Sequence, residues 1–90
     1  MLKPVEFAFT EPCYSPDDGV LFSVYSMGRG YRAFTLSIEA ACDKLGASTQ
    51  QRQPVLLAFK LNHQRIARAI EGKETPEDGR RVVLEANDFE

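Results

Sequence analysis

Val20-Leu21-Phe22-Ser23-Val24-Tyr25-Ser26-Met27-Gly28-Arg29-Gly30-Tyr31-Arg32-Ala33-Phe34-Thr35-Leu36 decides the fold. Val20, Phe22 and Val24 fall on one side at period two, and Leu21, Ser23, Tyr25 and Met27 fall on the other. Beyond Gly28-Arg29-Gly30, Phe34 and Leu36 oppose Tyr31, Ala33 and Thr35. Two alternating runs joined by a glycine-bounded turn predict an antiparallel hairpin, because glycine supplies the positive φ that tight turns need.

Upstream, Val5, Phe7 and Phe9 alternate and predict a strand over 5–10. Pro12, Pro16, Asp17, Asp18 and Gly19 then predict a loop ending in a turn. Downstream, Ser37 is placed to cap a short helix, with Glu39 in its first turn. Ile38, Ala41, Cys42 and Leu45 make its apolar stripe, and Gly46 ends it. Ser48-Thr49-Gln50-Gln51 has capping-box spacing, and Pro54 suits a first helical position. One long helix therefore begins between Thr49 and Pro54, runs to about Glu71 and stops at Gly72. Its stripe is Val55, Phe59, Ile66 and Ile70, with Asn62 and His63 in the same arc. A polar loop over 73–80 leads to a last strand over 81–86, where Val82 and Leu84 oppose Arg81, Val83 and Glu85. Residues 87–90 read as a tail. The order β-β-β-α-α-β predicts a two-layer α+β sandwich: a mainly antiparallel sheet, two helices on one face, the other face open.

Ninety residues predict a single domain over 1–90, and 43% hydrophobic with 27% charged residues is a globular composition. No apolar run approaches the ~20 residues of a membrane helix, and residues 1–10 do not read as a secretory signal. A cytoplasmic, reducing setting is expected, so Cys13 and Cys42 should be free thiols. Two cysteines and one histidine are too few for a structural zinc site within the chain, and Met27 to Tyr31 lacks the spacing of the glycine-rich phosphate loops. No cofactor is expected. The net charge of −2 weighs against nucleic acid as the main partner.

A set of ordered matches resembles the bacterial family called domain of unknown function 1488. They are Gly19-Val20 with Phe22 and Val24, then Leu36-Ser37-Ile38-Glu39-Ala40 through Leu45-Gly46-Ala47. Further along are Ala58-Phe59 with Asn62, Ile66 and Ala69, and Val83-Leu84 with Asp88-Phe89. Phe34 stands where the resemblance implies cysteine, and His63 where it implies arginine. The resemblance implies an α+β fold and a bacterial cytoplasmic setting. It carries over no catalytic residue.

Several residues are candidates for chemistry or contact. His63, the only histidine, has no nucleophile or carboxylate at a recognisable spacing, so it reads more simply as a packed helix residue than as a general base. With Asn62 it forms a candidate polar site. Cys42 reads as a small buried hydrophobe, and Cys13, in the loop, as the more reactive thiol. Arg29, Arg32, Lys60, Arg65 and Arg68 could form a basic patch or simply a solvated face. Tyr25 and Tyr31 beside Arg29 and Arg32 suggest a platform for stacking single-stranded bases. Leu57 and Leu61 project opposite Phe59, and Leu21, Tyr25 and Met27 are left over on the sheet. The leading expectation is a non-enzymatic interaction or accessory module, with a protein partner or a second copy. A nucleic-acid accessory protein comes second, and an enzyme using His63 or Cys13 third.

Overall fold

A computed structural model describes residues 8–73 and 79–89. Its strands are β1 (Ala8–Phe9), β2 (Cys13–Ser15), β3 (Gly19–Ser26), β4 (Gly30–Leu36) and β5 (Val82–Leu84). Its helices are α1 (Ile38–Asp43), α2 (Arg52–Leu61) and α3 (His63–Gly72), and a 3-10 turn covers Ala86–Phe89. The strands form one mixed sheet of five, with the helices on one side, so the α+β sandwich holds.

The hairpin is central. β3 and β4 pair antiparallel with Val20 opposite Leu36, Phe22 opposite Phe34 and Tyr25 opposite Tyr31. β1 and β2 both pair antiparallel with β3 on its other edge. β5 pairs with β4 in parallel, Val82 beside Phe34 and Leu84 beside Leu36. That parallel pairing follows from the return of the chain over the sheet through three helices. Gly19 opens β3 at φ +119°, where a β-carbon would run into the Leu36 carbonyl.

The inner face buries Val20, Phe22, Val24, Phe34, Leu36 and Leu84 against Val55, Phe59, Ile66 and Ile70. Phe9, Phe22, Phe34 and Phe59 form a connected aromatic cluster with centroids 4.8–5.9 Å apart. The helical phase expected of the Val55, Phe59, Ile66 and Ile70 stripe is the one observed, whereas in α1 Ala40 and Ala41 are buried and Ile38 is half-buried.

Five details differ from expectation. The long helix is two helices broken at Asn62, whose φ of −123° and ψ of 29° leave the helical region. The side chain drives the break, because Asn62 Nδ2 donates to the carbonyls of Ala58 (2.8 Å) and Leu45 (3.2 Å). The second bond ties the junction to the chain leaving α1. The segment expected to be all loop contains β2, since Cys13–Ser15 finds a partner on β3. The capping box does not form: Gln51 is the N-cap of α2 without a side-chain bond, and Pro54 stands third in the helix rather than first. The tail coils into the 3-10 turn, where Asp88 Oδ2 accepts from Glu85 N at 2.8 Å and from Lys73 Nζ at 2.7 Å. Cys42 is half-buried rather than buried, its thiol 3.6 Å from the Thr49 carbonyl. Ser37 caps α1 as expected, accepting from Ala40 N at 3.0 Å. Val5 and Phe7 of the first strand, and most of the polar loop, lie outside the described residues.

Candidate interaction surfaces

The strand alternation that builds the core delivers a second set of residues to the helix-free face. Leu21, Ser23 and Tyr25 on β3 meet Thr35, Ala33 and Tyr31 on β4. Cys13 and Ala8 extend two of these rows on one side, and Val83 extends the Leu21–Thr35 row on the other. Tyr25 and Tyr31 are directly opposed with ring centroids 5.1 Å apart. Tyr31 is 70% exposed and Tyr25 42%, so both rings present a face to solvent. Met27, in the turn, is 92% exposed. Leu21 is half-buried, and Thr35 is buried between its neighbours. Arg81, just before β5, spends its charge on the sheet: Nη1 donates to the carbonyl of Phe34 at 2.6 Å and reaches that of Phe22 at 3.4 Å.

The outer side of α2 carries the other leucines. Leu57 and Leu61 are both exposed. A shallow groove of about 490 Å³ runs beside them, lined by Arg52, Gln53, Leu56, Leu57 and Lys60.

The expected basic patch is divided. Arg29 and Arg32 join Arg68 in a groove of about 670 Å³, completed by Ser26, Met27, Glu71 and Gly72. Lys60 lines the separate α2 groove, and Arg65 is exposed on α3 and lines neither. Arg32 pairs with Val24, so it points to the helix side of the sheet while Tyr25 and Tyr31 point to the other. The aromatic-plus-basic platform expected of Tyr25, Tyr31, Arg29 and Arg32 is therefore split between two faces. Period two already implied this, because Arg32 shares its parity with Phe34 and Leu36.

Asn62 and His63 line neither of these two grooves, and the two side chains do different things. Asn62 holds the helix junction. The His63 ring stacks on Phe9 at 4.2 Å with 1° between the planes and meets the edge of Phe59 at 5.1 Å. Its Nε2 is buried without a hydrogen-bond partner among the described residues, and burial lowers its pKa from the ordinary value. A neutral imidazole packed as a fifth aromatic ring suits this place. Cys13 is exposed and Cys42 half-buried, and both are free. Among the described residues no three of His, Cys, Asp and Glu come together as metal ligands, and no helix is long and apolar enough to cross a membrane.

Sequence reasoning left Tyr31 out of the apolar surface and missed Val83, Arg81, Ser26 and Glu71. Alternation along β4 and β5 would have found the first three. The others needed the position of α3 over the hairpin.

No family model, no curated protein and no solved structure matches the chain.

Proposed function

We propose that this chain is a small non-enzymatic interaction module that pairs with a second copy of itself through the helix-free sheet face. The resemblance stated above would put it in a bacterial cytoplasm. The observation that carries the reading is the exposed Tyr25–Tyr31 pair on that face. Opposed aromatic rings at one end, and Leu21 and Val83 beyond the Ser23–Ala33 row, make a largely apolar surface on which Arg81 is hydrogen-bonded to main-chain carbonyls. A face with so little charge has a small like-charge penalty against its own copy, and two-fold self-pairing is the commonest way to cover one.

Its size sets the strength. β3 has 8 residues, which at ~3.3 Å each span ~26 Å. Four strands abreast are ~19 Å wide, so each copy offers roughly 500 Å² of face. A standard interface takes about 800 Å² from each partner. The pairing should be reversible, with dissociation in the micromolar range or weaker.

Sedimentation equilibrium from micromolar to near-millimolar protein tests this. The average mass should climb from 10.1 kDa towards twice that value. Tyr25→Lys with Tyr31→Lys should hold it at the monomer, and Leu57→Glu with Leu61→Glu should leave it unchanged. A parent protein that stays monomeric throughout removes the self-pairing reading. Association abolished only by the leucine changes moves the contact to α2.

A further inference from the structure

The groove between the hairpin turn and the end of α3 is a different surface from the one proposed for self-pairing. Three elements bring guanidinium groups to it: the turn gives Arg29, the helix side of β4 gives Arg32, and α3 gives Arg68. Among the described residues Glu71 is the one carboxylate in its lining, and α3 ends there at Gly72. A helix C-terminus carries about half a negative charge. Among the described residues, three arginines against one carboxylate and that half charge leave an excess of about one and a half positive charges.

We infer that this groove binds the phosphate group of a small phosphorylated molecule, with Arg29 and Arg68 as the direct ligands. Guanidinium forks match phosphate oxygens in pairs, and such charge-assisted hydrogen bonds are the stronger kind. Burial, and after it the charge of Arg29, lower the Arg32 pKa, so these two cations are held together against their repulsion. Arg32 is also engaged elsewhere in the fold, and its part is to hold positive charge at the groove floor. Ser26 supplies a buried hydroxyl that has no hydrogen-bond partner among the described residues. The groove, of about 670 Å³, is open to solvent and admits a phosphate group without enclosing the rest of the molecule.

The layout favours a small ligand over a nucleic-acid strand. A strand needs a track of cations along successive phosphates. Here Lys60 lines another groove, Arg65 stands outside both, and the chain as a whole is acidic at −2. The stacking rings Tyr25 and Tyr31 face away from Arg32, across the sheet.

Amide chemical-shift titration of the intact chain, at constant ionic strength, decides the matter. The probes are inorganic phosphate, adenosine monophosphate and a twelve-residue oligothymidylate. Phosphate and the nucleotide should give saturable shifts confined to the residues that line the groove, Arg29 and Arg68 among them, and each should displace the other. Arg68→Gln and Arg29→Gln are exposed changes that leave the core intact, which the dispersion of the amide spectrum checks. Each should weaken binding at least about tenfold, the weight of one charge-assisted hydrogen bond. Glu71→Gln should tighten it. The site is disproved if phosphate and nucleotide give no saturable shift, or if both arginine variants bind as the parent does. Oligothymidylate binding without phosphate or nucleotide binding would equally overturn it, in favour of a nucleic-acid strand. None of these outcomes depends on the oligomeric state of the chain.

Discussion

The two faces of the sheet come from the same strands, one residue out of step. Inward, β3, β4 and β5 present Val20, Phe22, Val24, Phe34, Leu36 and Leu84, all buried under the helices. Outward, they present Leu21, Ser23, Tyr25, Tyr31, Ala33, Thr35 and Val83. These buried residues are large and apolar, and only at the turn end does the same face carry Ser26 and Arg32. The outer set mixes small hydroxyls with two tyrosines, and its rings are exposed. A face meant only for water usually carries several charges; among the described residues the strand positions on this one carry none, and Arg81 flanks it just before β5. The difference separates stability from association: the inner face holds the fold together, and the outer face is available for contact.

The most forceful way to break that division is Phe59→Ala. Phe59 is fully buried and touches the rings of Phe9, Phe22 and His63. Its truncation should cost about 3–5 kcal/mol, a large part of the ~5–15 kcal/mol that holds a domain together. The midpoint of urea denaturation should fall sharply. An unchanged midpoint would mean that the helices do not seal the inner face.

Next in size is Asn62→Ala, which acts on the helical cover and not on the sheet. The change removes the bonds to the carbonyls of Ala58 and Leu45. Each such bond is worth about 1 kcal/mol, and alanine returns up to ~0.7 kcal/mol as the better helix former. A net loss of about 1–2 kcal/mol in denaturation is expected. A gain in stability would show that one straight helix covers the core as well as two.

That residue also marks the limit of what could be read in advance. Local periodicity carries β3, β4 and the stripes of α2 and α3, because the pattern that buries a face is written along the chain itself. The break at Asn62 is not local. Its side chain sits in the arc of the stripe, and only the Leu45 carbonyl, 17 residues away, gives it a reason to leave the helix. β2 is only three residues long and exists because β3 offers it a partner. The parallel placement of β5 depends on how three helices cross the sheet. The surfaces divide in the same way. The outer tyrosines follow from period two. The meeting of Arg68 with Arg29 and Arg32 needed the tertiary fold.

Tyr31→Ser sharpens the comparison from the outer side. Cross-strand aromatic pairs contribute roughly 0.2–1.5 kcal/mol. At protein concentrations low enough to keep the chain monomeric, the loss should therefore stay under about 1.5 kcal/mol. At high concentration the same change should lower the average mass in sedimentation. A destabilisation as large as that of Phe59→Ala would place Tyr31 in the core and erase the distinction between the faces.

The smallest effect belongs to His63, the chain's only imidazole. Burial lowers its pKa below the ordinary 6.5, with no charged partner contributing. The unfolded chain therefore takes up a proton at a higher pH than the folded one does. Its contribution to stability is complete above pH 6.5 and is lost as the pH falls through the lower, folded value. Phenylalanine fills the place between Phe9 and Phe59 without titrating, so His63→Phe should flatten this part of the profile. The difference in unfolding free energy between parent and variant, followed downward from neutral pH, isolates the ring. Asp88 cancels in that difference; burial pushes its pKa up, but the hydrogen bonds from Lys73 and the Glu85 amide and the Lys73 charge together hold it below the usual 3.8. Parallel profiles would mean that the imidazole is solvated in the folded chain and that the inner face is open at this edge. A divergence that starts near pH 6.5 and favours the variant on the acid side would confirm that the helices keep water from the ring.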